Sequence, residues 1–382
     1  MNPLSRRPFL VLQGLGAGND NLVKQAILVM IGFGLIEYAG PSSLWTNLAS
    51  ALFILPFLLL SDLAGRWVAT QNLRDVIIRI KNLELVCAAV AGTGLVLGNL
   101  TLLLIALAGL GAQSTLFGPS KFSWPARTER IEDLPAVTGS IEAITFIAIL
   151  LGSLVGGLLV SAPIALSALV LGLAIIGRYL AGRLPSVPPL SVQNSPYQDH
   201  PQALRSRRLI SWFWFLGASY LTQLPLLTQQ IMGWTAESVS WLLAAFAIGV
   251  GAGSKWVSRI PNRAQPLGFV GLIVFGISLP FAAAVSPIAG LANLLALGVA
   301  GGLYVVPLYV WMQTYLNASE LPQAIGRNNR LNAALMVASA AFSIALLVLL
   351  EVTPTLYFIV LALLSLMTYP MVREFNRDYS GS

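Results

Sequence analysis

The residues most able to do chemistry are charged side chains inside a long apolar run near the start of the 382-residue chain. Asp20 and Lys24 are four positions apart, which places both on one face of an α-helix, and Asn21 adds a polar group beside the acid. An isolated charge at the centre of a bilayer costs about 2.5–3.5 kcal/mol, so these residues must face a protein interior or water. Two interpretations follow: an ion pair that neutralises itself, or a polar site for an ion or a headgroup.

Four further polar residues lie in or beside later apolar runs. Glu142 lies inside the fifth run and Lys121 at the end of the fourth, where it could serve a substrate or only extend to the water interface. Gln223 and Asn329 are uncharged amides in the seventh and eleventh runs, able to bind a headgroup or to hydrogen-bond neighbouring helices. We predict that these four line a substrate route together with Asp20, Asn21 and Lys24.

The composition requires a membrane protein. Hydrophobic residues make up 56% of the chain and charged residues 10%, against about 45–50% and 25% in soluble domains. The net charge of +7 comes from basic residues in loops between apolar runs, so nucleic acid is not a predicted partner. One cysteine and one histidine leave no disulfide and argue against a Cys/His zinc site, and we predict no cofactor and no metal.

The apolar runs predict an all-α membrane protein with twelve transmembrane helices, each of about 20 or more residues. They form two sets of six, which we predict as an N-terminal bundle over residues 1–181 and a C-terminal bundle over residues 209–382. Between them, residues 182–208 are rich in proline and polar residues, a composition that cannot bury a core. We therefore predict a cytoplasmic linker there.

The basic residues fix a predicted orientation. Of 22 Lys and Arg residues, Lys24 alone falls outside seven loop sites that all lie on one side of a twelve-span arrangement. Those sites are Arg6/Arg7, Arg66 to Lys81, Lys121 to Arg130, Arg178 to Arg208, Lys255 to Arg263, Arg327/Arg330 and Arg373/Arg377. By the positive-inside rule, both termini are predicted to be cytoplasmic.

Two short motifs occur twice at nearly the same spacing. Ala64-Gly65 with a following basic residue and Trp recurs as Ala252-Gly253, and Leu134-Pro135 with Gly139 recurs as Leu321-Pro322 with Gly326. Two matches at one offset indicate duplicated halves of six helices, the arrangement of major facilitator transporters. A separate run of Gly152, Gly156 and Gly157 predicts close helix packing.

Several segments together resemble the lysophospholipid transporter family of the major facilitator superfamily, including the transporter portion of fused acyltransferase–acyl-carrier-protein synthetase proteins. The segments are Gly18 to Asn21 with Lys24, Phe117 to Phe122, Glu142-Ala143 with Ile149 to Ser153, Ser211 to Gly217 with Gln223-Leu224-Pro225, Gly301 to Pro307, and Asn328-Asn329 with Leu331 to Ala333. The resemblance implies movement of lysophospholipid, chiefly of the lysophosphatidylethanolamine type, from the outer to the cytoplasmic leaflet of a bacterial inner membrane. It also implies reacylation there by a separate acyltransferase or acyl-ACP synthetase partner, because the chain ends soon after the last apolar run.

One departure from this family concerns the loop after the second run. Relatives carry an acid a few positions after the Ala-Gly pair, where it helps to hold the cytoplasmic gate shut, but here Arg66 and apolar residues follow Gly65. Either Asp62 or Asp75 takes that role, or the balance of the gate has shifted. We predict Asp62, Arg66 and Asp75 as the candidate gate residues.

Two other classes of function are weighed against lipid transport. The chain could be an ion- or proton-coupled transporter of small soluble solutes or drugs, with Asp20 or Glu142 carrying the ion. An enzyme is not predicted, because the only histidine, His200, has Arg205 where a His-x4-Asp acyltransferase motif requires aspartate.

Overall fold

The computed structural model describes residues 3–189, 199–232 and 239–380, which are almost entirely helical and contain no strand. Twelve long helical segments follow one another, the last of them interrupted by a 3-10 turn. They are α1 (Pro3–Gly32), α2 (Ser42–Thr70), α3 (Leu73–Leu97), α4 (Leu100–Thr128), α5 (Leu134–Leu158), α6 (Pro163–Gly182), α7 (Pro201–Thr222), α8 (Val239–Trp256), α9 (Pro261–Val285), α10 (Pro287–Tyr315), α11 (Leu321–Ile344), and α12 (Pro354–Leu364) with α13 (Tyr369–Ser380).

Ten of these segments in the described part of the chain are long and apolar enough to cross a membrane. The other two are α1 and α7, whose sequences are more polar: α1 holds Asp20 and Lys24, and α7 holds Arg205, Arg207 and Arg208 in its first turns. Both match the length of a bilayer crossing, about 20 residues. The predicted all-α fold with twelve spans is therefore confirmed in its helix content and order.

The helices extend further than the apolar runs do. α1 begins at Pro3 and α7 at Pro201, so Arg205, Arg207 and Arg208, which the sequence placed in the linker, are helical. Hydropathy locates only the part of a helix that lies in lipid, whereas backbone hydrogen bonding continues into the polar region. Residues 190–198 of the predicted linker lie outside the described residues.

The chain packs as two compact units. Unit one comprises Met1–Glu129, Ile147–Tyr197 and Asn317–Arg330, and unit two comprises Arg130–Phe146, Gln198–Leu316 and Leu331–Ser382. α5 and α11 each contribute residues to both units, whereas each of the other long helices lies within one unit. A division into two bundles joined at residues 182–208 stays a prediction.

Within unit one, α5 and α1 approach to backbone contact. A Cβ at Gly152 would overlap the carbonyl oxygen of Gly18 and lie 3.1 Å from its Cα, and a Cβ at Gly156 would do the same to Leu22. Around Gly157, by contrast, nothing lies within 4 Å. The glycine run thus works as predicted at two of its three positions: it lets the second half of α5 lie directly on α1.

The two repeated motifs meet each other in both units. In unit one, the end of α2 lies on the start of α11, and a Cβ at Gly65 would be 2.7 Å from the Pro322 carbonyl oxygen while one at Gly326 would overlap that of Ser61. In unit two, a Cβ at Gly139 on α5 would overlap the Ser254 carbonyl oxygen at the end of α8. The same glycine-to-backbone packing therefore recurs at repeated positions.

Candidate functional site

The carboxylate of Asp20 lies in the interior of unit one. The residue is 2% exposed, and its partners come from α4: Gln113 Nε2 donates to Oδ1 at 2.8 Å and to Oδ2 at 3.1 Å, and the Ser114 hydroxyl donates to Oδ2. These donors stabilise a charge that would otherwise be costly inside the protein. Sequence reasoning found Asp20 but not Gln113 or Ser114.

Lys24, one turn beyond Asp20, is half-buried and turns to a different neighbour. Its ammonium lies 5.2 Å from the centroid of the Phe53 ring on α2, a cation–π contact. Neither Asp20 nor Lys24 has an ion-pair partner within 4.0 Å among the described residues. The two are thus not joined in a direct ion pair, and no carboxylate contacts the Lys24 ammonium.

The asparagines beside Asp20 are bound locally. Asn21 Nδ2 donates to the Ala17 carbonyl of the same helix at 2.9 Å, and Asn19 Nδ2 donates to the Val170 carbonyl of α6 at 3.2 Å. Both side chains are buried. Asn19 therefore joins α1 to α6, while Asn21 satisfies its amide within α1.

Lys121 and Asn329 also belong to unit one. Lys121 is half-buried, with its ammonium 5.1 Å from the Phe122 ring. The Asn329 amide lies so close to Gly118 that a Cβ there would overlap its Nδ2. The segment from Phe117 to Phe122 thus packs against the start of α11, which brings together two motifs that are far apart in the sequence.

Glu142 and Gln223 lie in unit two. Glu142 is 1% exposed, within α5. Gln223 follows the last residue of α7 and is half-buried, with its Nε2 3.5 Å from the Thr222 hydroxyl oxygen. Pro225 follows, and because proline lacks a donor the helix continues only as a short turn and a π-helical stretch, Leu227–Met232.

Among the candidate gate residues, Asp62 is the one with an ion pair. Its carboxylate contacts Arg330 at the start of α11, beside the glycine contacts of Gly65 and Gly326, and both side chains are partly exposed. Asp75 is exposed at the first turn of α3, and Arg66 is exposed at the end of α2. Of the two acids that the sequence left open, Asp62 is the one placed against α11.

The structure reveals a buried ion pair on α3 that sequence reasoning missed. Lys81 Nζ lies 2.5 Å from Glu84 Oε2, and the two residues are 1% and 0% exposed. The Lys81 ammonium also lies 5.4 Å from the Phe117 ring. The assignment of Lys81 to a basic loop was therefore wrong, because α3 begins at Leu73 and carries this lysine into the interior.

The available signal was the spacing of the two charges. Lys81 and Glu84 are three residues apart, so they share a helix face, and apolar residues surround them in the sequence. This spacing was overlooked because Lys81 follows Arg66, Arg74 and Arg79 and was grouped with them as a loop residue. Across residues 3–189, 199–232 and 239–380, no group of three His, Cys, Asp or Glu side chains is placed to hold a metal ion.

Comparison with known proteins agrees with this arrangement. The family model of the Major Facilitator Superfamily matches residues 14–341. The chain is 28% identical to the lysophospholipid transporter LplT of Serratia proteamaculans, over 81% of this chain and 80% of that one. It is 25% identical to the lysophospholipid transporter LplT of Escherichia coli O7:K1, over 91% and 90%. The resemblance found in the sequence is thereby confirmed.

Solved structures match the fold over nearly the whole chain. The human organic anion transporter MFSD10 gives a TM-score of 0.78 at 15% identity, covering 97% of this chain and 100% of that one. The E. coli fucose:proton symporter FucP gives 0.75 at 12% identity, covering 98% of each. At such identities the likeness concerns the fold alone, and it is the fold of membrane transporters.

Proposed function

This chain belongs to the Major Facilitator Superfamily, and from that premise we propose that it is a lysophospholipid transporter of the bacterial inner membrane, with both termini in the cytoplasm. Its substrate is of the lysophosphatidylethanolamine type, taken from the outer to the cytoplasmic leaflet. A separate acyltransferase or acyl-ACP synthetase partner then reacylates it. The similarity to lysophospholipid transporters over most of the chain supports this proposal.

The observation that carries the proposal is the state of Lys24. It is a half-buried cation inside a span, one turn from a buried carboxylate, with an aromatic ring but no carboxylate against its ammonium. A lysophospholipid headgroup offers a phosphate, which a lysine binds through charge-assisted hydrogen bonds. The ammonium of an ethanolamine headgroup suits Asp20 or Glu142, the buried carboxylates of the predicted route.

The remaining predicted route residues offer polar groups for a headgroup, each within its own unit. Lys121 and Asn329 offer a charge and an amide in unit one, and Gln223 offers an amide where α7 loses regular helical structure in unit two. A single acyl chain needs only an apolar side exit to the lipid. Two six-helix halves that alternate about a central site can provide both.

The proposal is tested by counterflow of radiolabelled lysophosphatidylethanolamine in proteoliposomes. A charge-assisted hydrogen bond contributes about 1.5–3 kcal/mol, so we expect Lys24→Met to raise the half-saturating concentration by about 10- to 150-fold. Lys255→Met, at an exposed lysine in the last turn of α8, is the matched control and should leave it unchanged. Equal behaviour of the two variants would remove Lys24 from the site.

The same assay separates the rival class. Counterflow is run in parallel with a panel of small soluble solutes, including sugars, organic anions and cationic drugs. Wild-type exchange of lysophospholipid but of none of these supports the proposal. Exchange of a soluble solute without exchange of lysophospholipid would replace it with a small-solute transporter.

We further propose that Asp62 and Arg330 form a latch of the cytoplasmic gate. An exposed ion pair contributes only about 0.2–1 kcal/mol. Asp62→Asn should therefore raise the ratio of open to closed forms of the α2–α11 contact by no more than about fivefold. The measurement is the alkylation rate of Ser61→Cys, which is buried under this contact, with the native Cys87 replaced by serine. Asp75→Asn is the control and should not change the rate, and the exchanged pair Asp62→Arg with Arg330→Asp should restore it.

A further inference from the structure

The buried pair on α3 faces the same part of α1 that carries Asp20. A Cβ at Gly16 would lie 2.7 Å from Lys81 Nζ, 3.7 Å from Glu84 Oε2 and 3.8 Å from Glu84 Oε1. Gly16 is one helical turn before Asp20 on the same face, so the α3 pair lies beside the face of α1 that carries Asp20. Three charged side chains, each at most 2% exposed, therefore share one interior region.

The charges of these three residues do not balance. Asp20 and Glu84 contribute two negative charges and Lys81 one positive charge, and Lys81 is the cation in contact with a carboxylate. Asp20 has only neutral donors, Gln113 and Ser114. Lys24 is the further cation on this face of α1, one turn beyond Asp20, but it contacts neither carboxylate. One negative charge of the three is therefore left without a cation in contact with it, which is costly in a protein interior within the membrane.

One oxygen of Glu84 lacks the donor or cation that a buried carboxylate requires. Glu84 Oε2 is held by Lys81, but Glu84 Oε1 is fully buried and has no hydrogen-bond partner. A buried carboxylate oxygen without a donor is among the most unfavourable polar groups in a folded protein. It lies on the side of α3 that faces Gly16 and α1, toward Asp20 rather than toward lipid.

The other titratable groups near Glu84 do not supply the missing charge. On α3 itself, Cys87 is a buried neutral thiol against Gly109 of α4. From α6, the neighbour is Gly177, and Arg178 bonds Asn82 at the exposed side. From α4 come Gln113, Ser114 and Phe117, all uncharged. On α1, Lys24 lies one turn beyond Asp20 with its ammonium over the Phe53 ring and contacts neither carboxylate.

A proton meets the demand better than a metal cation does. Sodium requires several oxygen ligands, but both Asp20 oxygens already accept hydrogen bonds and Glu84 Oε1 is the one buried carboxylate oxygen of the cluster left over. The Lys81 ammonium, which is 2.5 Å from Glu84, would also repel a second cation there. We propose that Asp20, Lys81 and Glu84 form a proton-binding site that holds one proton at neutral pH.

Infrared spectroscopy of the purified full-length chain tests proton binding without any transport. Exposed carboxylates are ionised at neutral pH, so a carboxylic-acid band comes from buried carboxylates, and we expect the cluster to contribute about one proton per chain to it. Glu84→Gln should lose this contribution, because Asp20 and Lys81 then neutralise each other, and Glu37→Gln, at an exposed glutamate, should keep it. Lys81→Met should strengthen it, since two carboxylates are left without a cation.

Each outcome decides the matter. A wild-type spectrum without the band at neutral pH overturns the proposal, even if no variant folds. A band that persists unchanged in Glu84→Gln overturns it as well. Loss of this contribution in Glu84→Gln together with its retention in Glu37→Gln establishes the site.

Coupling of this proton to transport rests on the proposed function and is tested separately. In proteoliposomes, an imposed pH gradient should stimulate lysophosphatidylethanolamine uptake by the wild type, and Glu84→Gln should lose the stimulation while still exchanging substrate in counterflow. Stimulation by a sodium gradient alone would overturn the coupling. Absence of any lysophospholipid exchange would refute the proposed function but leave the infrared result standing.

Discussion

Replacing Gly156 with alanine is expected to destabilise the folded chain, whereas the same change at the adjacent Gly157 is not. A Cβ at Gly156 would overlap the Leu22 carbonyl oxygen and lie 3.0 Å from its carbon and 3.1 Å from its Cα. These are backbone atoms of α1 and cannot rotate away. The helices would have to separate, and such overpacking costs about 1–3 kcal/mol.

Gly157→Ala provides a matched control within the same helix. No atom lies within 4 Å of its added Cβ, and alanine has the better helix propensity by up to about 1 kcal/mol. We therefore expect Gly157→Ala to unfold at the wild-type temperature or slightly above it, and Gly156→Ala clearly below it. The measurement is the fraction of protein that stays monodisperse in detergent after heating, and equal curves for both variants would contradict the packing described for α1 and α5.

The twelve spans could be predicted because the lipid leaves a direct mark on the sequence. Every backbone polar group in a bilayer core must be satisfied within the segment, so long apolar runs can only be helices. What hydropathy does not record is where a helix stops in the polar region. Hence α4 continues to Thr128 and α7 begins at Pro201, both beyond the apolar runs that predicted them.

The site was predicted less completely, for a physical reason. Asp20 and Lys24 were found because a charge in an apolar run is conspicuous by itself. The partners of Asp20, Gln113 and Ser114, are ordinary polar residues of α4 that gain significance only from the packing of α4 against α1. Lys81 was not missed but was assigned to the wrong environment. Near several arginines it looks like a loop residue, and only the neighbouring helices α1, α4 and α6 show that it is buried.

Substituting the repeated glycine Gly326 is expected to have a larger effect than removing the Asp62–Arg330 ion pair beside it. A Cβ at Gly326 would overlap the Ser61 carbonyl oxygen and lie 3.3 Å from the Gly65 Cα, so Gly326→Ala should prevent α11 from closing on α2. Overpacking of about 1–3 kcal/mol changes the ratio of closed to open forms by about 5- to 150-fold. That exceeds the expected effect of removing the exposed Asp62–Arg330 pair.

Gly326→Ala is therefore expected to lower lysophospholipid exchange by about 5- to 150-fold, the effect of about 1–3 kcal/mol, and to speed alkylation of Ser61→Cys. If a transport cycle alternates between closed and open gates, only one of its states needs this contact, so thermal stability should change little, in contrast to Gly156→Ala. Gly172→Ala on α6, where no atom lies within 4 Å, is the control. Gly139→Ala, the repeat-related position that packs on Ser254, should give the same transport defect, and a defect in one variant without the other would mean that the two contacts do not serve a common gate.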